Sequence, residues 1–132
     1  MKDTGQQPRP VKRVLVVDDE QSIQELLQNL LEEEGYEVET AGNGREGLDR
    51  LAQSRFDLVL CDVMMPFMNG LQFCLAVQQR GSPYRDIPLV MMSAAGPPSP
   101  TAGCHYATFM SKPFDLTRLF DVLARFIPDS TH

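Results

Sequence analysis

Five side chains of this 132-residue chain have the types and spacing that could do chemistry together. They are two adjacent acids, a third acid, a serine and a lysine: Asp18, Asp19, Asp62, Ser93 and Lys112. Each follows a short apolar run that is typical of a β-strand. An unpaired carboxylate at the end of a buried strand costs free energy, so it requires a cation, a hydrogen-bond partner or a chemical function.

The chemistry that this set predicts is phosphoryl transfer. Repulsion among three neighbouring carboxylates raises the pKa of at least one of them, and a divalent cation relieves this repulsion. Oxygen ligands without His or Cys indicate Mg²⁺. Lys112 offers a point charge for a phosphoryl oxygen, and Ser93 offers a hydroxyl. Beside these groups the Asp62 carboxylate can act as a nucleophile and form an aspartyl-phosphate. Each residue alone is ordinary, and only their joint placement at strand ends indicates a site.

Strands and helices alternate along the chain. Apolar runs predict strands over 11–17, 36–40, 56–61, 87–92 and 107–111. Helical spacing and capping residues predict helices that begin near Ser22 (a capping box with Glu25), at 45, at Asn69 and after Asp115, with Gly35 ending the first. Alternation of this kind predicts an α/β fold, with helices on both faces of a doubly wound parallel sheet. Ligands of such sheets bind beyond the carboxyl ends of the strands.

Composition narrows the function classes. The formal net charge of −6 argues against direct nucleic-acid binding, which needs clusters of Lys and Arg. No apolar stretch is long enough to cross a bilayer, and the N-terminus lacks a signal-peptide core. Cys61, Cys74 and Cys104 form no metal-binding spacing, and the first two suit a core. We therefore expect a cytoplasmic protein with reduced cysteines and no membrane partner.

The chain length fits one domain. Residues 1–10 are expected to be a disordered tail, residues 11–127 the domain, and residues 128–132 a second short tail. Three prolines and two glycines lie between residues 94 and 103, which argues against a full helix there.

Together these motifs resemble the receiver domain of two-component response regulators, from Lys12 to Ile127. The matching motifs are Asp18-Asp19, the loop from Asp62 through Pro66 to Gly70, Ser93-Ala94 and Lys112-Pro113-Phe114. The resemblance implies a three-layer, flavodoxin-like sheet of five strands in the order 2-1-3-4-5, here with a short or disrupted fourth helix.

The resemblance also implies a role for each site residue. Asp62 would be the phosphoacceptor, and Lys112 would bind the phosphoryl group. Asp19 and Asp62 would ligate Mg²⁺ directly, together with the Met64 backbone carbonyl, while Asp18 would act mainly through water. Ser93 and Phe109 hold the two switch positions: when phosphate draws the serine hydroxyl inward, the aromatic ring moves into the vacated space. A cis peptide bond is expected between Lys112 and Pro113.

Several partners follow from the same resemblance. The phosphodonor would be a histidine kinase or a phosphotransfer protein, and the phosphorylated domain would control a downstream effector protein or domain. Weak homodimerisation is also implied. The domain would react only on itself, so it is not expected to be an enzyme for external substrates.

Three departures from the family pattern concern the readout and not the chemistry. The stretch from Ser93 to Lys112 is a few residues shorter than usual, in the proline-rich segment. His105 stands where glycine is common, and Phe109 lacks the hydroxyl of a switch tyrosine.

Three alternatives compete with this interpretation, and the sequence argues against the last two. The first is a receiver-fold interaction module that signals without phosphorylation. A flavin-binding carrier would need a phosphate-cradling loop after the first strand, where this chain has Asp18-Asp19-Glu20. A D-x-D phosphohydrolase would need a second acid two residues after Asp62, where this chain has Met64.

Overall fold

A computed structural model of the chain describes residues 11–99 and 103–127. The predicted tails, 1–10 and 128–132, lie outside the described residues. In chain order the elements are β1 (Arg13–Val17), α1 (Gln21–Glu33), β2 (Glu37–Ala41), α2 (Gly44–Gln53), β3 (Leu58–Asp62), α3 (Gly70–Gln78), β4 (Leu89–Ser93), β5 (Thr108–Ser111) and α4 (Leu116–Phe126).

The five strands form one parallel sheet in the order β2-β1-β3-β4-β5, so the predicted fold is confirmed. The central strands β3 and β4 are buried along their whole length, and β1 is buried from Val14 to Val17. Continuous apolar runs such as these suit strands that are covered on both faces. The sheet therefore brings the ends of β1, β3, β4 and β5 to one edge.

Two hydrophobic layers cover the sheet. Side chains alternate between its faces, so Val14 and Val16 pack in one layer while Leu15 and Val17 pack in the other. The first layer contains α1 and α4, and the second contains α3, part of α2 and Cys104.

Strand β2 is an edge strand, as its charged, alternating pattern predicts. Its two glutamates do not simply face solvent, because Arg13 of β1 forms ion pairs with both. The Arg13 guanidinium nitrogens lie 2.6 Å from Glu37 Oε1 and 3.1 Å from Glu39 Oε2. These pairs follow from the parallel register, which places Arg13 opposite Glu37.

Local capping signals were right for two helices and wrong for one. Asn69 and Gln72 form a capping box on α3, and Asp115 accepts from the Arg118 amide at the start of α4. The prediction that Ser22 caps α1 was wrong. The cap is Glu20, two residues earlier, and its carbonyl accepts hydrogen bonds from Ile23 and Gln24.

The end of α1 is as predicted. Gly35 has a φ of +95°, and the following amide, that of Tyr36, donates to the Leu31 carbonyl. A left-handed residue at this position favours glycine.

The connection between β4 and β5 contains no helix among its described residues, 94–99 and 103–107. The prediction that the helix between the fourth and fifth strands is short or disrupted is therefore confirmed for that part of the chain. Three leucines that share helical spacing with core residues, Leu26, Leu75 and Leu116, are nevertheless exposed by 47%, 36% and 48%. They lie at the margins of the apolar stripes of their helices, where periodicity alone does not fix the packing.

The expectation of reduced cysteines was wrong for two of the three. Cys74 of α3 and Cys104 of the β4–β5 connection form a disulfide, with their Cα atoms 5.6 Å apart. Their separation of 30 residues carries no signal in the sequence, because the fold alone brings the two segments together. Cys61 is a buried free thiol in the core, as expected.

Candidate functional site

The polar residues at the strand ends lie together at one edge of the sheet. Asp18 follows β1, Asp62 ends β3, Ser93 ends β4, and Lys112 follows β5. Backbone hydrogen bonds continue the sheet into this edge: the Lys112 amide donates to the Ser93 carbonyl at 2.9 Å. The strand pairing itself therefore positions the lysine beside the serine.

The three carboxylates form a cluster. One oxygen from each of Asp18, Asp19 and Asp62 lies within 4.8 Å of the others. Asp18 is fully buried and Asp62 is only 5% exposed, while Asp19 faces solvent. Two buried acids at this spacing are costly without positive charge nearby.

Lys112 supplies that charge. Its Nζ lies 2.7 Å from Asp18 Oδ2 and 3.5 Å from Asp62 Oδ2, and it also donates to Glu20 Oε1 at 3.0 Å. Burial lowers the pKa of the Lys112 ammonium, but the contacts with Asp18 and Glu20 outweigh the effect of burial. The pKa of Lys112 is therefore raised above its usual value. The lysine is therefore charged at neutral pH.

Glu20 was missed by the sequence analysis as a member of this site. Its side chain is largely exposed and reaches Lys112 across 92 residues of sequence. A glutamate just before a helix is common, and no local pattern could have assigned it to a lysine in a distant loop.

The carboxyl group of Asp62 has a pKa raised to about 6. Burial is the main cause, followed by the charge of Asp18, and both are opposed by Lys112 and by a hydrogen bond from the Met64 amide. Burial likewise raises the pKa of Asp18, against the ion pair with Lys112 and the hydrogen bond from the Glu20 amide. Additional positive charge at the site would therefore stabilise the ionised form of both carboxylates.

This donor set fits a hard divalent cation such as Mg²⁺. The buried atom Asp18 Oδ2 has the Lys112 ion pair but no hydrogen bond of good geometry within the described part of the chain. The cluster offers only oxygen atoms, as Mg²⁺ prefers. That the Met64 carbonyl also binds the ion stays a prediction.

The two residues assigned as a switch lie on the adjacent strands β4 and β5. The buried Ser93 Oγ accepts from the Ala95 amide at 3.0 Å, which leaves its own proton to donate. Phe109 is half-buried opposite Met91, and its carbonyl accepts from Arg118 at 2.6 Å. The cis peptide bond expected before Pro113 is present.

The loop from β3 to α3 folds tightly behind Asp62 and exposes apolar side chains. A Cβ atom at Gly70 would lie 2.5 Å from the Asp62 carbonyl oxygen, so only glycine fits there. Met64 is 70% exposed and Phe67 is 89% exposed, with a φ of +66° at Phe67. Apolar surface therefore adjoins the acidic cluster.

A doubly wound parallel sheet with clustered carboxylates and a lysine at its carboxyl edge defines an α/β domain whose site could accept a phosphoryl group. The chain belongs to the response regulator receiver domain family, which it matches over residues 14–124. Receiver domains are signalling modules of two-component systems.

Individual relatives agree with this assignment. The chain is 38% identical over 124 residues to the response regulator MprA of Mycolicibacterium vanbaalenii, covering 89% of this chain and 52% of that protein. Among solved structures, the chemotaxis protein CheY4 of Vibrio cholerae has 35% identity and a TM-score of 0.79, covering 89% of this chain and 99% of that one. The chain spans about half the length of the curated relatives it matches.

A more distant structure shares the fold alone. The receiver domain of a sensor histidine kinase from Pseudomonas aeruginosa has 20% identity and a TM-score of 0.80, covering 91% of this chain and all of that one. Its structure holds a magnesium ion coordinated in the active-site cleft. Within residues 11–99 and 103–127 of the present chain, no helix is long and apolar enough to cross a membrane.

Proposed function

We propose that this domain accepts a phosphoryl group on Asp62 from the phosphohistidine of a histidine kinase or phosphotransfer protein, in the cytoplasm, and thereby controls an effector. One observation carries the proposal: the Asp62 carboxylate ends β3 with Lys112 on one side and two further carboxylates within 4.8 Å. A nucleophile, a charge for the phosphoryl oxygens and oxygen ligands for a cation thus meet at one edge of the sheet.

In the proposed reaction an Asp62 carboxylate oxygen attacks phosphorus and the P–N bond of the phosphohistidine breaks. The imidazole leaves with the bonding electron pair and takes up a proton, and an aspartyl-phosphate remains. Only the ionised carboxylate is nucleophilic, and a pKa of about 6 leaves most of Asp62 ionised at neutral pH. Lys112 then neutralises charge that develops on the phosphoryl oxygens.

A magnesium ion would be held by Asp19 and Asp62 directly, by the Met64 carbonyl and through water by Asp18. When bound, it supplies positive charge that the phosphoryl oxygens and the acidic cluster both need. The pKa values of Asp18 and Asp62 are raised mainly by burial, and a bound cation would favour the ionised form of both carboxylates.

The conformational response would start at Ser93. Its hydroxyl can donate to a phosphoryl oxygen on Asp62, and the residues that follow it form the β4–β5 connection that leads to Phe109. A change at the Ser93 hydroxyl would shift the population between two packings of the Phe109 ring. The effector would read this difference.

The test is phosphorylation with a small phosphodonor such as acetyl phosphate in the presence of Mg²⁺. Intact mass should show one added phosphoryl group on the wild type and none on Asp62→Ala. Asp49→Ala removes an exposed acid from α2 and should be phosphorylated like the wild type. Equal labelling of the Asp62 and Asp49 variants would overturn the assignment of Asp62.

A second candidate is a receiver-fold interaction module that signals without phosphorylation. The observation that favours it is the absence of helix from residues 94–99 and 103–107. Addition of Mg²⁺ with beryllofluoride, a phosphate mimic, separates the two. A change in the NMR signals of Phe109 supports the phosphorylated switch, and unchanged signals support the interaction module.

A further inference from the structure

The β4–β5 connection is joined to α3 by two kinds of contact. The first is the Cys74–Cys104 disulfide, which closes a span of 30 residues. The second is a pair of hydrogen bonds between the Gln78 side chain and the backbone of His105: Nε2 donates to the carbonyl at 3.0 Å, and Oε1 accepts from the amide at 2.6 Å. Residues 104 and 105 are therefore bound to successive turns of one helix.

These contacts share one face of α3. Cys74 and Gln78 are four residues apart, so their side chains lie on the same side of the helix. The residue that precedes Cys104, Gly103, also lies against α3, since a Cβ atom there would lie 3.2 Å from Leu75 Cδ2. The connection thus takes its position from side chains of α3 and not from a helix of its own in the described residues.

Other hydrogen bonds of the described part of the connection lie near its two ends. Near its start the Ala95 amide donates to Ser93 Oγ at 3.0 Å. Near its end the Tyr106 hydroxyl donates to the Pro98 carbonyl at 3.1 Å, and the Ala107 amide donates to the Leu89 carbonyl at 2.7 Å. Residues 94–99 and 103–107 contain no helix, and a connection of this kind opens at a lower free-energy cost than a helix or a strand. A covalent link to α3 restricts that opening.

We propose that Cys74 and Cys104 are a reversible thiol–disulfide exchange site whose redox state sets how freely residues 94–99 and 103–107 move. The site lies outside the acidic cluster, and its chemistry does not require phosphorylation. For a domain in the reducing cytoplasm, as proposed above, disulfides are mostly transient or redox-sensing. The reaction partner is a dithiol reductant, and in the reverse direction an oxidised dithiol.

The exchange is balanced as a two-electron step. A thiolate of the reductant attacks one sulfur, the Sγ–Sγ bond breaks, and a mixed disulfide forms. The second thiol of the reductant resolves it, leaving two protein thiols and one oxidised reductant. Attack falls on Cys104, because Cys104 is 7% exposed while Cys74 is fully buried. The hydrogen bonds of Gln78 remain after reduction, so the connection loosens without losing its place.

The experiment uses the full chain equilibrated with mixtures of oxidised and reduced dithiothreitol. Alkylation after unfolding, read by intact mass, should count one thiol in oxidising mixtures and three in reducing ones, reversibly. Amide hydrogen exchange of peptides covering residues 94–99 and 103–107 should be at least about threefold faster in the reduced form. Peptides from β1 and β3 should be unchanged.

Two variants control the result. Cys104→Ser should exchange like the reduced wild type in every mixture, whereas Cys61→Ser should keep the full redox response. If Cys104→Ser fails to fold, the wild-type comparison decides alone. A thiol count that is the same in all mixtures would overturn the proposal, and so would equal hydrogen exchange in the two redox forms. Both readouts are taken without a phosphodonor, so they stand whether or not Asp62 is phosphorylated.

Discussion

The Lys112 ammonium lies closer to Asp18 than to Asp62, at 2.7 Å from Asp18 Oδ2 against 3.5 Å from Asp62 Oδ2. In the unphosphorylated site, therefore, the lysine ammonium is paired mainly with Asp18 and not with the proposed nucleophile, Asp62. Glu20, at 3.0 Å, holds the same ammonium from the solvent side. Lys112 is placed to move toward Asp62 when negative charge is added there.

The first prediction concerns this lysine. Lys112→Ala should slow phosphorylation by acetyl phosphate about 10²-fold, because charge that develops on the phosphoryl oxygens loses its partner. Affinity for Mg²⁺ should rise, since a cation that competes for Asp18 is removed. Intact-mass time courses measure the rate, and titration calorimetry measures Mg²⁺ binding.

Glu20→Gln is the matched control. Because Glu20 is 58% exposed, its ion pair with Lys112 contributes little, and the rate should change by less than about threefold. Phosphorylation of Lys112→Ala at the wild-type rate would contradict a role for the lysine in the reaction.

The second prediction is a pH dependence of stability. The folded pKa of Asp62, about 6, lies above its ordinary value of 3.8, so the folded state binds the proton more tightly. The resulting stabilisation is complete below pH 3.8 and is lost as the pH rises through about 6. Asp62→Asn should therefore be more stable than the wild type at pH 7 without Mg²⁺, by at most about 3 kcal/mol.

Urea unfolding at pH 3.5 and pH 7 measures this difference. The advantage of Asp62→Asn should shrink toward zero at the lower pH, where Asp62 is mostly protonated in both the folded and the unfolded wild type. Magnesium should narrow the gap at pH 7, because it stabilises the folded wild type by binding. An advantage that is equal at the two pH values would show that packing, and not the ionised carboxylate, causes it.

The third prediction concerns the exposed loop beside the acidic cluster. Phe67 is 89% exposed, and exposed aromatic side chains near a site are frequent anchors of protein partners. Phe67→Ser should raise the KM for a phosphohistidine-bearing donor protein about tenfold. Phosphorylation by acetyl phosphate should stay unchanged, because the small donor makes no contact with a docking surface.

Val11→Ser provides the control for this measurement. Val11 is 56% exposed beyond the opposite end of β1, so its replacement should affect neither donor. If Phe67→Ser lowered the rates with both donors equally, its effect would lie in the folding of the loop and not in docking.

The fourth prediction concerns the disulfide and global stability. Reduction should lower the free energy of unfolding by about 3.7 kcal/mol, the value that loop-closure entropy gives for a separation of 30 residues. Urea unfolding of the wild type with and without reductant measures it. Cys104→Ser, which cannot form the bond, should unfold at the same urea concentration in both conditions.

Local sequence patterns were sufficient for the strands, for most helix boundaries and for the family. Continuous apolar runs predicted the buried strands, and the prolines from Pro97 to Pro100 indicated the lack of a helix in residues 94–99 and 103–107. Each of these features depends on residues close in sequence, because hydrogen bonding within a segment and side-chain periodicity are local properties. The same holds for the caps at Asn69 and Asp115.

Pairings between distant segments depended on the tertiary structure. Glu20 binds a lysine 92 residues away, and that role accompanies the early start of α1 that displaced Ser22 as a cap. Cys74 and Cys104 meet because α3 and the β4–β5 connection pack on the same face of the sheet.

The sequence by itself thus determined the parallel sheet and which residues stand at its carboxyl edge. Only the tertiary structure decided that Lys112 lies nearer Asp18 than Asp62, and that two of the three cysteines are joined. The physical reason is that side-chain type and periodicity set each element, whereas differences of less than 1 Å between competing partners arise only when the elements pack.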